Sequence, residues 1–263
     1  MAPIFADHPF PLIQTPIFAA KQDPKAKAQP DSFDRAASEM ANAHNLMIRG
    51  LNSIYLQAPH IIAPDVKPFC RYIAAFTNLI HVHHHSEETQ FFPEVEKLSG
   101  VQGIMETNVH HHGVFKKGLH ELDEYATAVL ADKQEYDGPR VVALIDAFGR
   151  DLVEHLRDEI PTLQRLREVD DKDGKMAGLI EKIMGEEGES SMKTLGMPGM
   201  LWCFANLDIH YEDDIWLDWP AAPGPVKFLA RNVFWWVYTD LRKFGSVDRN
   251  GKLKGLHAVP ESK

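Results

Sequence analysis

The sequence predicts an all-α protein: an up-down-up-down antiparallel four-helix bundle followed by an aromatic-rich C-terminal extension containing at least one further helix. Three observations carry this reading. Apolar residues recur with helical spacing along four long stretches between residues 32 and 168, short connections separate those stretches, and the character of the chain changes after about Asp170. Each amphipathic helix needs partners to bury its stripe, and short connections make sequential neighbours antiparallel.

Residues 1–31, rich in proline, lysine and alanine, read as an irregular arm. Asp31 or Ser32 caps a first helix starting near Phe33, with Ala37, Ala41, His44, Ile48, Leu51 and Tyr55 as its stripe. QAPHIIAPD breaks it. A second helix runs from about Val66 to Leu98 and is closed by SGVQG; a third runs from about Ile104 to Leu130 and ends at ADKQEYDGP. Pro139 opens a fourth of about thirty residues, since proline is tolerated in a first helical turn. The bundle then spans 32–168. In the extension, 169–263, which is expected to pack on the bundle, DDKDGK and GEEGES are polar breaks around the short helical segment MAGLIEKIM. All five tryptophans follow, between Leu201 and Gly245, and VKFLARNVFWWVYTDLRKF reads as one more amphipathic helix. DKDG (171–174) and DRNG (248–251) read as polar turns, because neither carries the remaining ligand positions of a calcium loop.

Composition narrows the function. The chain has 263 residues, 44% hydrophobic and 25% charged, which suits one or two globular domains and excludes a disordered or fibrous chain. A net charge of -10 argues against nucleic acid as a partner. Two cysteines, Cys70 and Cys203, make no disulfide framework and fit a reducing compartment. No apolar run approaches the roughly 20 residues that span a bilayer, and the N-terminus lacks the basic flank of a secretory signal. The expectation is a cytoplasmic protein with neither nucleic acid nor membrane as partner, its oligomeric state unspecified. No glycine-rich phosphate loop, GxSxG or CxxC is present.

The unusual count is fourteen histidines. An imidazole and a carboxylate four residues apart on a helix project from one face and can hold a metal together. Four such pairs occur: His83/Glu87, His84/Glu88, His120/Glu124 and His155/Glu159. About one is expected by chance at this composition, so periodicity must sort them. On the second helix the stripe Phe69, Ile73, Phe76, Ile80 continues to His83 and Glu87, whereas the register through Cys70, Ala74, Thr77 and His81 reaches His84 and Glu88 over a less apolar face. On the third helix Met105, Val109, His112, Phe115, Leu119, Leu122 and Ala126 form the buried line, which selects His112 and puts His120 and Glu124 on the wet face with Lys117. On the fourth, Val141, Ile145, Phe148 and Leu152 lead to His155 and Glu159; the first contributes His44.

A single histidine on an apolar face is most often satisfied by a neighbouring hydrogen bond. Four histidines and two glutamates in one core are costly to desolvate unless a cation compensates them. Depth agrees: about loop centres near residues 101, 135 or 136, and 61, the pairs Glu87 and His112, His112 and Glu159, and His44 and His83 lie at matching distances to within a few ångströms at about 1.5 Å per residue. The predicted ligands are therefore His44, His83, Glu87, His112, His155 and Glu159, for two metal ions with carboxylate bridges and open positions. Iron fits this ligand set first, manganese next, with zinc an alternative. The other histidines, His81, His84, His85, His110 and His111, are expected to face solvent or to support the ligands, with His84 and Glu88 the rivals of His83 and Glu87.

The order His44, HHHSEETQFFP (83–93), His112 and EHLRDEIPTL (154–163) resembles the hemerythrin-like, or HHE cation-binding, domain over residues 33 to 167, and AHNLMIRGLNSIYLQAP (43–59) is similar to its fungal branch. The resemblance implies a four-helix bundle around a carboxylate-bridged di-iron centre held by the six residues above. Oxygen-carrying hemerythrins have a second histidine on the third helix, one turn from the first; here Asn108 and Lys116 occupy those positions. A site one imidazole short favours substrate access or oxygen activation over reversible carriage. The expected function is therefore binding and activation of dioxygen or peroxide by a non-haem di-iron oxidoreductase acting on a small molecule. The alternatives are a non-enzymatic oxygen, nitric oxide or iron binder or sensor, and a metal-assisted lyase or hydrolase. The aromatic extension is large enough to wall a pocket from which Asp208, His210 or Glu212 could reach the open side of the site, but the stronger reading is that its tryptophans pack and NLDIHYEDD is a solvated turn.

Overall fold

The computed structural model describes residues 2–23, 29–170 and 173–260. Among these the regular structure is all helical, the only ladder-like contact being an isolated bridge between Val247 and Leu253. Helix α1 spans Pro16–Gln22, α2 Ser32–Gln57 and α3 Val66–Ser86; a π-helical turn at Glu87–Phe91 leads into α4, Phe92–Ser99. Then come α5 (Glu106–Leu130), α6 (Gly138–Asp146), α7 (Gly149–Arg165), α8 (Lys175–Asn206), α9 (Gly224–Phe228) and α10 (Thr239–Arg242).

The four-helix bundle is α2, α3 with α4, α5, and α6 with α7. Its antiparallel register can be read from side-chain pairs. Thr77 Oγ1 donates to Asp123 at 2.6 Å and Lys67 pairs with Asp132 at 2.7 Å, each pair equidistant to within one residue from the turn at Gly100. Between α2 and α7, Arg167 and Gln164 both reach Asp34, at 2.6 and 2.7 Å. Asp31 begins α2 with a reciprocal cap: its carboxylate accepts from the Asp34 amide while Asp34 accepts from its own.

Five expectations need correction. The arm is not wholly irregular: Thr15 caps α1, Pro16 sits in its first turn and Phe18 is buried, a Thr-Pro signal for a helix start. Two asparagines of α2 hold the arm, Asn45 exchanging hydrogen bonds with Ile13 and Asn52 with Phe10. The fourth helix breaks at Phe148, which buries itself against Gly118; a Cβ on Gly118 would stand 2.6 Å from that of Phe148. The second helix widens to a π turn because Pro93 has no N–H for the Thr89 carbonyl and its ring would strike it. GEEGES does not break the chain. Helix α8 runs through it, with half-buried Met184 and Glu187 between buried Met176 and Ile180 and buried Ser191 and Leu195, and kinks only at Gly196, which has φ 61°. The ion pairs Lys182–Glu186 and Glu189–Lys193 span that stretch. Finally, the segment 226–244 is not one helix. A second π turn at 229–233, a 3₁₀ turn and a left-handed Tyr238 divide it, in a run of β-branched and aromatic residues with little helix propensity.

Helix α8 lies in the seam between α2 and α3. Arg35 pairs with Glu181, and the Trp202 ring lies against Gly50, so α8 runs parallel to α2. Trp202 is fully buried against Tyr72 and Phe76 of α3 and donates to the Tyr72 carbonyl. DRNG is a turn built on Asp248, whose carboxylate accepts from the Asn250 and Lys252 amides. DKDG lies in part outside the described residues.

Candidate metal centre

The bundle core brings the six sequence-predicted residues together and adds a seventh. All six are buried: His44 and Glu87 completely, Glu159 1% exposed, His155 2%, His112 3% and His83 6%. They fall into two groups of ligand atoms, each group within 4.8 Å: His44, His83, Glu87 and Glu159 in one, and His84, Glu87, His112 and His155 in the other. Helices α2, α3, α5 and α7 each contribute, the π turn supplying Glu87.

Glu87 belongs to both groups and turns one oxygen toward each. Its Oε1 is 3.0 Å from His83 Nε2 and its Oε2 is 3.5 Å from His112 Nε2. On the other side His44 Nε2 lies 3.1 Å from His83 Nε2 and 3.5 Å from Glu159 Oε2. Outer nitrogens fix the ring orientation. His44 Nδ1 donates to the Leu156 carbonyl at 2.7 Å, and His112 Nδ1 donates to Glu88 Oε1 at 2.7 Å, so both rings turn bare Nε2 lone pairs inward. Phe92 stacks on His112, and Phe115 packs against His155, closing the apolar wall.

Charge is badly matched in the protein alone. Among the described residues no hydrogen-bond partner serves Nε2 of His84, His112 or His155, nor either oxygen of Glu87 or Glu159, all of them buried. Buried polar atoms ordinarily find partners. Burial and the neighbouring His83 push His44 well below the ordinary imidazole range; burial and the surrounding imidazoles do the same to His84 and His155. Burial and Glu87 push Glu159 well above the ordinary carboxylate range. For His83 burial opposes the charge, but Glu87, Glu187 and Glu159 overcome it and raise the group to about 9. Converging orphaned nitrogen lone pairs and carboxylate oxygens are the donor set that metal cations take, and the residues fit metal binding.

Sequence periodicity gave the wrong side for three residues. Val109, placed on the buried line of α5, is 42% exposed, and its neighbour Asn108 takes the line at 3% exposure. Asn108 faces Glu159 and favours its charged form. His84, read as off-stripe, is 7% exposed and within the second group. The signal for it was its spacing three residues before Glu87 on a helix buried from two sides. Glu88, its supposed companion, instead supports His112 from the half-exposed rim. His120 and Glu124 are exposed, as the periodicity required. The extension's polar trio does not approach the centre: Asp208 binds Arg49, His210 binds Asp214, and Glu212 accepts from Thr15 and Trp216. Of its tryptophans, Trp202 fills the core, while Trp216 and Trp219 line a small crevice beside Arg49. Among the described residues no helix is long and apolar enough to cross a membrane.

Comparison with known proteins agrees with this geometry. Residues 35–183 match the family described as the Hemerythrin HHE cation binding domain. The chain is 36% identical over 227 residues to the dimeric xanthone biosynthesis cluster protein R11 of Cryptosporiopsis sp. (strain 8999), covering 85% of this chain and 83% of that protein. No solved structure matches.

Proposed function

This chain belongs to the hemerythrin HHE cation-binding family, and from that premise we propose that it is a di-iron protein which binds and activates dioxygen or peroxide to oxidise a small molecule. His44, His83 and Glu159 would hold one iron and His112 and His155 the other, with Glu87 able to serve both. The observation that carries the reading is Glu87, buried between the two groups with one oxygen toward each. Bound iron supplies the electron transfer that protein side chains lack.

The chain's own residues do the rest. The Leu156 carbonyl and Glu88 fix the tautomers of His44 and His112, leaving Nε2 of each as the donor. Glu87 and Glu159 offset cationic charge in a region from which Phe92, Phe115 and Leu156 exclude water. The Asn108 amide faces Glu159 and favours that carboxylate's charged form, against the burial and the Glu87 charge that oppose it. Similarity to a protein named for a biosynthesis cluster supports an enzymatic role on a small molecule rather than storage.

Anaerobic reconstitution with ferrous iron followed by exposure to oxygen tests the reading. Two irons per chain and oxygen consumption that degassing does not reverse are expected. Release of intact oxygen on degassing would make the protein a carrier or sensor, and turnover supported equally by zinc would make it a lyase or hydrolase.

A further inference from the structure

We infer that His84 is a metal ligand, and that it supplies from α3 the imidazole that oxygen-carrying hemerythrins place on the third bundle helix. The inference rests on the two-ion reading above and concerns how the second ion is held.

Four observations converge on His84. It is 7% exposed, and its Nε2 is buried without a hydrogen-bond partner among the described residues, whereas a histidine that merely fills a core is normally satisfied. Its ligand atom lies within 4.8 Å of those of Glu87, His112 and His155. Its ring centroid is 4.3 Å from that of His112 and 5.0 Å from that of His155, so three imidazoles from α3, α5 and α7 crowd one spot. Finally, the two positions one turn from His112 hold no imidazole: Lys116 is exposed, and Asn108 is turned to Glu159.

Helix geometry explains how adjacent residues serve different ions. At about 100° per residue, His83 and His84 diverge, and Glu87 falls between them, about 40° past one and about 60° short of the other. Helix α3 packs against α5 on one flank and faces α2 on the other, so His83 meets His44 while His84 meets His112 and His155. The sequence HHxxE thereby carries one ligand for each ion and the carboxylate they share. With His84 the second ion has three imidazoles and Glu87; without it the second ion has one protein donor fewer than the first.

The test is iron content after anaerobic loading, comparing wild type, His84→Ala and His85→Ala, the last an exposed neighbour. Wild type and His85→Ala are expected to hold two irons, His84→Ala one, and free imidazole diffusing into the space left is expected to restore the second. Two irons in His84→Ala, or a loss that imidazole does not repair, would overturn the inference. If wild type holds no iron, the two-ion reading itself fails. Should His84→Ala not fold by circular dichroism, an anomalous-scattering map of iron-loaded wild-type crystals decides. Iron bound to His84 Nε2 supports the assignment, and two irons with that nitrogen unbound overturn it.

Discussion

At the scale of single residues, the centre depends on groups that touch no metal-facing lone pair. Glu88 is the clearest case, because it accepts from His112 Nδ1 at 2.7 Å and is the only side chain among the described residues that fixes that ring's tautomer by a hydrogen bond. Replacing such a partner of a ligand histidine ordinarily costs about 10–100-fold in metal affinity. Glu88→Ala is therefore expected to weaken one of two ions by that factor with helix content unchanged, measured by competition against a chelator. Glu124→Ala, which removes an exposed carboxylate beside His120, is expected to change nothing. Six of the central residues were legible in the sequence because each continues an apolar stripe. His84 was not, because the stripe test assumes one buried face, and α3 is covered on two. Nor was Asn108 distinguishable from Val109, since hydropathy prefers valine on a buried line and only the site's chemistry brings the amide inward.

At the scale of elements, the four bundle helices were legible in number and order, and their irregularities were not. A π turn set by Pro93 and a break set by Phe148 against Gly118 both arise from contacts or steric conflicts that hydrophobic period does not encode. The larger gap concerns α8, whose sequence is interrupted by glycines although the helix continues through them on a half-buried face. Its place in the seam yields a test with an unusual sign. In an exposed helix interior Gly→Ala stabilises by about 1 kcal/mol. At Gly50 a Cβ would stand 2.1 Å from the Trp202 ring, which Tyr72 and Phe76 hold in place. Gly50→Ala is expected to destabilise by about 1–3 kcal/mol as overpacking, and Trp202→Ala by about 3–5 kcal/mol as a cavity. In the Trp202→Ala background Gly50→Ala should lose its penalty, a coupling that urea midpoints of the four proteins reveal. Additive effects would mean that α8 does not fill the α2–α3 seam.

At the scale of the whole molecule, the core holds ionisable groups in states that folding alone does not favour, and this makes stability and metal binding depend on pH with predictable signs. In the metal-free chain, burial keeps His44, His84 and His155 below the ordinary imidazole value of 6.5. A group with a depressed folded pKa gives stability that is present above its unfolded value and lost as pH falls. Glu159, raised in the folded chain, acts oppositely: its contribution is present below the ordinary 4.5 and lost as pH rises. Between pH 6.5 and 4.5 three imidazoles of the unfolded chain take up protons that the folded chain refuses, while one carboxyl keeps a proton that unfolding releases. More protons are absorbed than released on unfolding, so the metal-free melting temperature should fall on acidification through that window. Adding metal works in the other direction. Near pH 7.5 His83, raised to about 9, carries a proton in the metal-free chain, whereas His44, His84 and His155 do not. Cation binding must expel the proton on His83, because a ligand imidazole binds deprotonated. Calorimetric titration with ferrous iron in buffers of different ionisation enthalpy should therefore report proton release at that pH. The release should diminish above pH 9 as His83 deprotonates unaided. A buffer-independent enthalpy at neutral pH would show that His83 does not meet the metal.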